Sequence, residues 1–458
     1  MQRLRSPKLL ANAAVAATLS IIAVTAAAAD AGKELLIPSE GVMKVPDGND
    51  YDNDDSDYSY SRMIEGDNVV IFWHKEYGAD PLENPDSGKR FDVKKMLSEC
   101  ERFYDYYVNE LKLVKKGESV SDRYKLVTYV YGGEGGTAFG GGMEDKIGAL
   151  WTPAVRVNRE PYGVLAHELG HSFQFLSSVD SGARPGGAVN EMSAQYMLWQ
   201  VYPEWMTFEN YHLVDFMKKT HYAFLHPTNM YHSPYVLEYW SNKHGKEFWG
   251  ELCRSTKRGE DVVATYKRMN AVEQPAFNDE MFDACRRFIT WDLDRVEEVA
   301  GRYANQHRCT LNEAGDGWYR ITPQLCPQNY GYNGIRLEVP EKFGEVELQF
   351  QGLAGAEGFS QVKTDKAGWR YGFVAHLNDD RRVYSEVGRD ADGRLAFETP
   401  EGTEHLWLVV MGAPTEHWPV SGGRGRRGRG RGDEPSGEEQ WPYRVKLAGT
   451  TISADFIE

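Results

Sequence analysis

The residues with the plainest chemical potential are His167-Glu168-Leu169-Gly170-His171. Side chains four residues apart on a helix share one face, about a turn apart. Two imidazoles so placed can aim a nitrogen at one ion. Glu168, rotated around the helix, suits the water on that ion rather than the ion itself. The segment permits a helix: the pattern from Tyr162 to about Ser178 is helical and uninterrupted, with Pro161 acceptable near its start. The bland alternative is a pair of surface histidines and a glutamate on an ordinary helix. A hydrolytic metal site also needs a third protein ligand and an open position. Asp180 lies in the turn-rich stretch before Gly182. Glu191 opens a second helical segment, Val189 to Val201, twenty residues after His171. That gap lets one helix end and another return beside it.

The sequence HELGH followed by Asn190-Glu191 at this spacing resembles the gluzincins, the thermolysin-like clan of zinc metallopeptidases. The resemblance spans Ile147 to about Gln200. It implies Zn2+ held by His167, His171 and Glu191, with Glu168 activating water for attack on a peptide carbonyl. The metzincin extension is excluded, because Gln174 and Ser177 stand where its glycine and third histidine would be. One position departs from the gluzincin pattern. Gln195 replaces an Asp that would orient the first ligand histidine; an amide can accept that hydrogen bond but brings no negative charge. HELGHSFQ is also similar to the enhancin-like peptidases, which attack mucin-type glycoproteins. The helix pair with a β-rich tail is similar to an uncharacterised family of secreted bacterial proteins. A developing oxyanion needs a further donor, and Tyr235 and His232, in the segment YHSPY, are the candidates. Ala149 and Leu150, just before the motif helix, stand where the gluzincin edge strand would be and are candidates to pair with substrate backbone; otherwise that strand is internal.

The elements that must position these residues read as an α+β chain. Strand-like segments at Asn68–Trp73, Tyr124–Tyr131 and Ile147–Thr152 alternate with a long helix over Phe91–Val114. Helical patterns dominate from Trp205 to about Arg308. Short alternating strands separated by turn residues follow, the signature of a β-sandwich. The expected organisation is a signal peptide at 1–29, an acidic flexible linker at 30–60, a zincin-like domain at 61–305 and a β-sandwich domain at 306–458. Residues 132–142, GGEGGTAFGGG, lack the GK[ST] of a phosphate loop and read as a mobile loop. Residues 421–440, rich in Gly and Arg and then acidic, read as a disordered insertion.

Arg3, Arg5 and Lys8 precede an apolar run ending in Ala27-Ala28-Ala29, which predicts export with cleavage near Ala29 and a secreted or periplasmic mature chain without a membrane span. An uncleaved anchor is the alternative. A net charge of −16 argues against nucleic acid as a partner. Of the five cysteines, Cys309 and Cys326 form the preferred disulfide, with buried thiols the alternative. The expected partner is a protein or glycoprotein substrate. A glycan could also stack on Trp369, Tyr371, Trp407 or Trp441 of the β-rich tail. Two competing functions remain at this stage: a non-catalytic binding protein on a degenerate fold, and a zinc hydrolase of a non-peptide acyl substrate.

Overall fold

The computed structural model describes residues 32–38, 40–419 and 438–458. The expected signal peptide and nearly all of the Gly/Arg-rich insertion lie outside the described residues.

Five strands form the first sheet: β1 (Met63–Glu65), β2 (Val69–Trp73), β3 (Leu126–Tyr131), β4 (Phe139–Met143) and β5 (Ile147–Pro153). Their spatial order is β1-β2-β3-β5-β4. The central strands β2, β3 and β5 run parallel, and β1 and β4 are antiparallel edges. Every residue of β2, β3 and β5 is buried, as expected of parallel strands covered on both faces. Their alternation divides them between two apolar clusters. Val69, Ile71, Leu126, Val130 and Leu150 face helices. Val70, Phe72, Val127, Tyr129, Ile147 and Ala149 face the other way, onto Val42, Tyr51 and Tyr58. The stretch expected as a flexible linker therefore differs from that reading. Its spaced apolar residues cap the second face of the sheet, while Asn49 and Arg62 tie its polar backbone with hydrogen bonds to Tyr58, Asp54 and Ser56.

On the helical face lie α1 (Val93–Asn109), α2 (Gly163–Ser181) and α3 (Val189–Val201). Asp92 caps α1 by accepting from the Lys94 and Lys95 N–H groups. Gly182, at φ 78°, closes α2 in the left-handed conformation. Further helices follow: α4 (Trp205–Phe208), α5 (Asn210–Met217), α6 (Tyr235–His244), α7 (Phe248–Ser255), α8 (Val262–Asn270), α9 (Gln274–Phe288) and α10 (Glu297–Ala300). Among the described residues, no helix is long and apolar enough to cross a membrane.

The remaining strands are β6 (Leu311–Glu313), β7 (Tyr319–Ile321), β8 (Tyr332–Leu337), β9 (Glu345–Gly352), β10 (Trp369–Leu377), β11 (Arg382–Tyr384), β12 (Asp392–Glu398), β13 (Thr403–Gly412) and β14 (Tyr443–Ala448). They make two antiparallel sheets, β11-β10-β13-β8 and β12-β9-β14-β7-β6. Phe350 of β9 stacks on Tyr371 of β10 at 4.2 Å between ring centres, which sets the sheets face to face as a sandwich. The fold is thus α+β with a β-sandwich, as the sequence predicts. Strand β9 alternates buried with exposed residues along most of its length, and the edge strand β12 alternates exposed with half-buried ones. Strand β10 is buried almost throughout, because its outer face meets α9. There the Arg370 guanidinium donates to Asp279, Arg286 donates to the Ser385 carbonyl and Asn278 to the Pro414 carbonyl. Lys33–Glu458 accordingly form one compact unit.

Two expectations fail here. All five cysteines are buried free thiols; Cys309 donates to the Gly334 carbonyl and Cys326 to the Thr322 carbonyl. Trp369, Tyr371, Trp407 and Trp441 are all at most 3% exposed. They are core residues of the sandwich and present no face to a glycan.

Candidate metal centre

Helices α2 and α3 pack together at Gly170, where an added Cβ would just touch the Ala194 Cα at 3.4 Å. Around this contact, His167, His171 and Gln174 recur at one-turn spacing on α2, opposite Glu191 and Gln195 on α3. Helix α1 fixes the other side of α2 through the Tyr107 hydroxyl, which donates to the Ala166 carbonyl at 2.9 Å. Ser172 ties α2 to the sheet by donating to the Ala149 carbonyl at 2.8 Å.

Three electron-rich atoms converge. The Nε2 atoms of His167 and His171 are 3.2 Å apart, and Glu191 Oε2 lies 3.3 Å from the first and 3.1 Å from the second. Ligands at about 2.0–2.1 Å around a tetrahedral zinc ion stand roughly 3.3–3.4 Å from one another. The triangle therefore fits such an ion. Among the described residues, this is the group of three with metal-ligating geometry.

Hydrogen bonding fixes which face of each ring points inward. His167 Nδ1 lies 2.9 Å from Gln195 Oε1, and His171 Nδ1 lies 3.0 Å from Gln174 Oε1. Both amides are oriented by acceptors on their nitrogen side. Gln195 donates to the Tyr231 carbonyl, and Gln174 donates to the Asn190 carbonyl and Ser193 hydroxyl. Each glutamine oxygen must then accept from Nδ1–H, which leaves each neutral ring's Nε2 lone pair facing the centre. Gln195 thus orients the His167 ring through a neutral acceptor that brings no charge.

Glu168 lines the same cleft. Burial raises its carboxyl above the ordinary range, against the pull of His167 and His171 and the Gly140 N–H. Burial opposes ionisation of Glu191 too, but the His167 and His171 imidazoles, which become donors toward it when they take a second proton, hold it well below the usual carboxylate range. His167 is pushed down by burial and carried upward, on balance, by Glu191 and Glu168. The cleft encloses about 640 Å³ and is also lined by Phe139, Gly140, Arg184 and Tyr231.

His167, Glu168, His171 and Glu191 line one cleft. Asp180 is elsewhere, accepting from the Val120 N–H at 3.1 Å. Ala149 and Leu150 cannot pair with a substrate strand. They sit in β5, already paired with Val127 and Thr128 on one side and Gly141 and Gly140 on the other. The open edge is β4, drawn from the stretch expected to be a mobile loop. Two of its glycines are required by packing: a Cβ at Gly140 would meet the Glu168 carbonyl oxygen at 1.9 Å, and one at Gly142 the Phe175 ring at 2.0 Å. Tyr235 is fully buried among Trp199, Phe216 and Trp291. His232 contacts His212 and Asp215 rather than the cleft. The residue of that segment that does reach the cleft is Tyr231, whose ring lies 6.3 Å from that of His167. The signal was present in the sequence: Pro234 marks the helix start, so residues before it stay on the loop while Tyr235 turns into the core.

No curated protein matches the sequence. A solved structure, the Yersinia pseudotuberculosis-derived mitogen, is 11% identical and aligns over 28% of this chain and 81% of its own, with a TM-score of 0.17, too slight a likeness to inform the fold. Residues 27–454 match the family of unknown function DUF6055, and the chain belongs to that family.

Proposed function

We propose that this chain is an exported zinc-dependent peptidase of gluzincin type acting on proteins or glycoproteins. The observation that supports it best is the convergence of two ligand-ready Nε2 atoms and one carboxylate oxygen at 3.1–3.3 Å, beside the partly buried Glu168. Zinc bound by these three residues would supply a Lewis acid and a water acidified towards neutrality. Glu168 takes the proton released in attack on the peptide carbonyl and returns it to the leaving amine.

The open edge of β4 supports a peptide over other acyl substrates. An extended chain can add to that edge by backbone hydrogen bonds. Because Gly140 lets β4 lie directly on the turn of α2 that carries Glu168, a chain paired there passes the ligand triangle. Tyr231, at the cleft wall, takes the oxyanion-donor role in place of Tyr235 and His232. Arg184 adds a cation to the cleft lining.

The test is metal analysis with a cleavage assay on denatured proteins and mucin. Wild type is expected to bind about one zinc per chain and cleave, and Glu191→Ala to lose the metal. Undiminished zinc in Glu191→Ala removes the third ligand. Zinc-bound wild type that cleaves no protein removes the peptidase reading.

A further inference from the structure

On its Nδ1 side His167 meets the Gln195 amide rather than a carboxylate, yet that amide leads to one. The Tyr231 carbonyl can only accept, so it fixes Gln195 Nε2 as the donor side. That amide nitrogen also lies 2.9 Å from His212 Nε2, which must accept. A neutral His212 then carries its proton on Nδ1, which lies 2.7 Å from His232 Nδ1. His232 Nδ1 must accept in turn, so its proton is on Nε2, 3.1 Å from Asp215 Oδ2. Reading from His167 inward or from Asp215 outward gives the same direction at every link.

We propose that His212, His232 and Asp215 are positioning residues for the metal centre, forming a one-way hydrogen-bond chain that runs from His167 through Gln195 and ends on the Asp215 carboxylate. The chain stands in for an Asp at position 195. It locks the His167 ring and, by polarising each donor along its length, makes Nε2 a better ligand. The inference rests on the metal-site reading above.

Its parts are built for the task. Helix α5 carries His212 and Asp215 three residues apart, on one side of the helix. His212 is 7% exposed and stacked on Trp205 at 5.5 Å. Burial lowers the affinity of both histidines for a second proton, His212 to about 3, which keeps the rings neutral as the chain requires. Asp215 stays ionised despite burial, helped by its ion pair with Lys219. Glu209 is a competing carboxylate, 3.6 Å from His212 Nε2, but that nitrogen is already engaged as an acceptor, and Glu209 accepts from the Trp205 indole.

Two measurements test the chain. Nitrogen-15 NMR of the metal-free protein should find His212 as the Nδ1–H tautomer and His232 as the Nε2–H tautomer. Zinc affinity, read by competition with a chromophoric chelator, should fall about tenfold in Asp215→Asn. That variant keeps an acceptor for His232 and removes only the charge. Glu209→Gln should leave the affinity unchanged. Gln195→Glu, which puts a charge on His167 directly, should make Asp215→Asn silent. Opposite tautomers, or an affinity that responds to Glu209→Gln and not to Asp215→Asn, overturn the chain. Zinc that fails to bind wild type sinks the metal reading instead, and the tautomers still decide the chain in metal-free protein.

Discussion

The sandwich and the cleft handle polar and aromatic groups in opposite ways. In the sandwich, aromatic side chains point inward and stack, as Phe350 does on Tyr371, and Arg370 of β10 is met by Asp279 of α9. In the cleft, two glutamines hold two imidazoles so that lone pairs and a carboxylate oxygen face one another. The first arrangement matches donor to acceptor and gains stability from burial. The second brings like partial charges together in a partly dehydrated place, which costs stability unless a cation or proton joins them. A chain keeps such an arrangement for what it binds.

The sharpest test of the contrast exchanges one substitution in each region. Glu168→Gln is expected to lower cleavage by roughly 10²–10⁴-fold, with folding and zinc content kept, because a proton carrier is lost while shape is preserved. Phe350→Ala is expected to do the reverse. Phe350 is fully buried between the sheets, so the cavity should cost about 3–5 kcal/mol of stability, with turnover per folded molecule unchanged. Activity and denaturant unfolding measured on both proteins check the pair. If Phe350→Ala lowers turnover of the folded fraction, the two regions are coupled and the contrast fails.

The same contrast governs what the sequence made legible. Segments whose composition and period agreed were readable: the β-branched run of β2, the amphipathic α1, the spacing of His167 and His171. The sandwich strands were readable for the same reason. Elements whose state depends on a neighbour were not. Gly140, Gly141 and Gly142 carry no strand preference; β4 forms because backbone can approach α2 at Gly140 and Gly142, where a side chain cannot. Val42, Tyr51 and Tyr58 are sparse among acids, so their shared face appears only once the sheet supplies its other half. Trp369, Tyr371, Trp407 and Trp441 fit either a core or a binding face by sequence; burial decides for the core.

A middle-sized effect is expected at the seam between cleft and sheet. Gly140→Ala adds one carbon against the backbone of α2, at a point where nothing flexible can yield. Either β4 or the helix must shift. Such overpacking costs about 1–3 kcal/mol, and the shift would move Glu168 relative to a substrate paired on β4. The expected outcome is a lower unfolding midpoint together with a raised KM for long peptides. Gly141→Ala, where an added Cβ meets nothing within 4 Å, should change neither. Equal behaviour of the two variants would show that β4 is not held against α2 as described.

The smallest effects separate two tyrosines of one segment. Tyr235→Phe removes a buried hydroxyl that has no hydrogen-bond partner in its apolar surroundings. Losing an unsatisfied buried polar group should leave stability unchanged or raise it by about 1 kcal/mol, with turnover unaffected. Tyr231→Phe keeps the ring beside His167 and removes only its hydroxyl from the cleft wall. Stability and zinc affinity should hold while kcat falls. A single oxyanion donor sets the scale, at about 10²-fold or less for a group at the rim of the cleft. Turnover that drops in Tyr235→Phe and survives in Tyr231→Phe would return the donor to the residue that helix geometry turns into the core. In that event α6 would have to begin later than Tyr235 in the working protein.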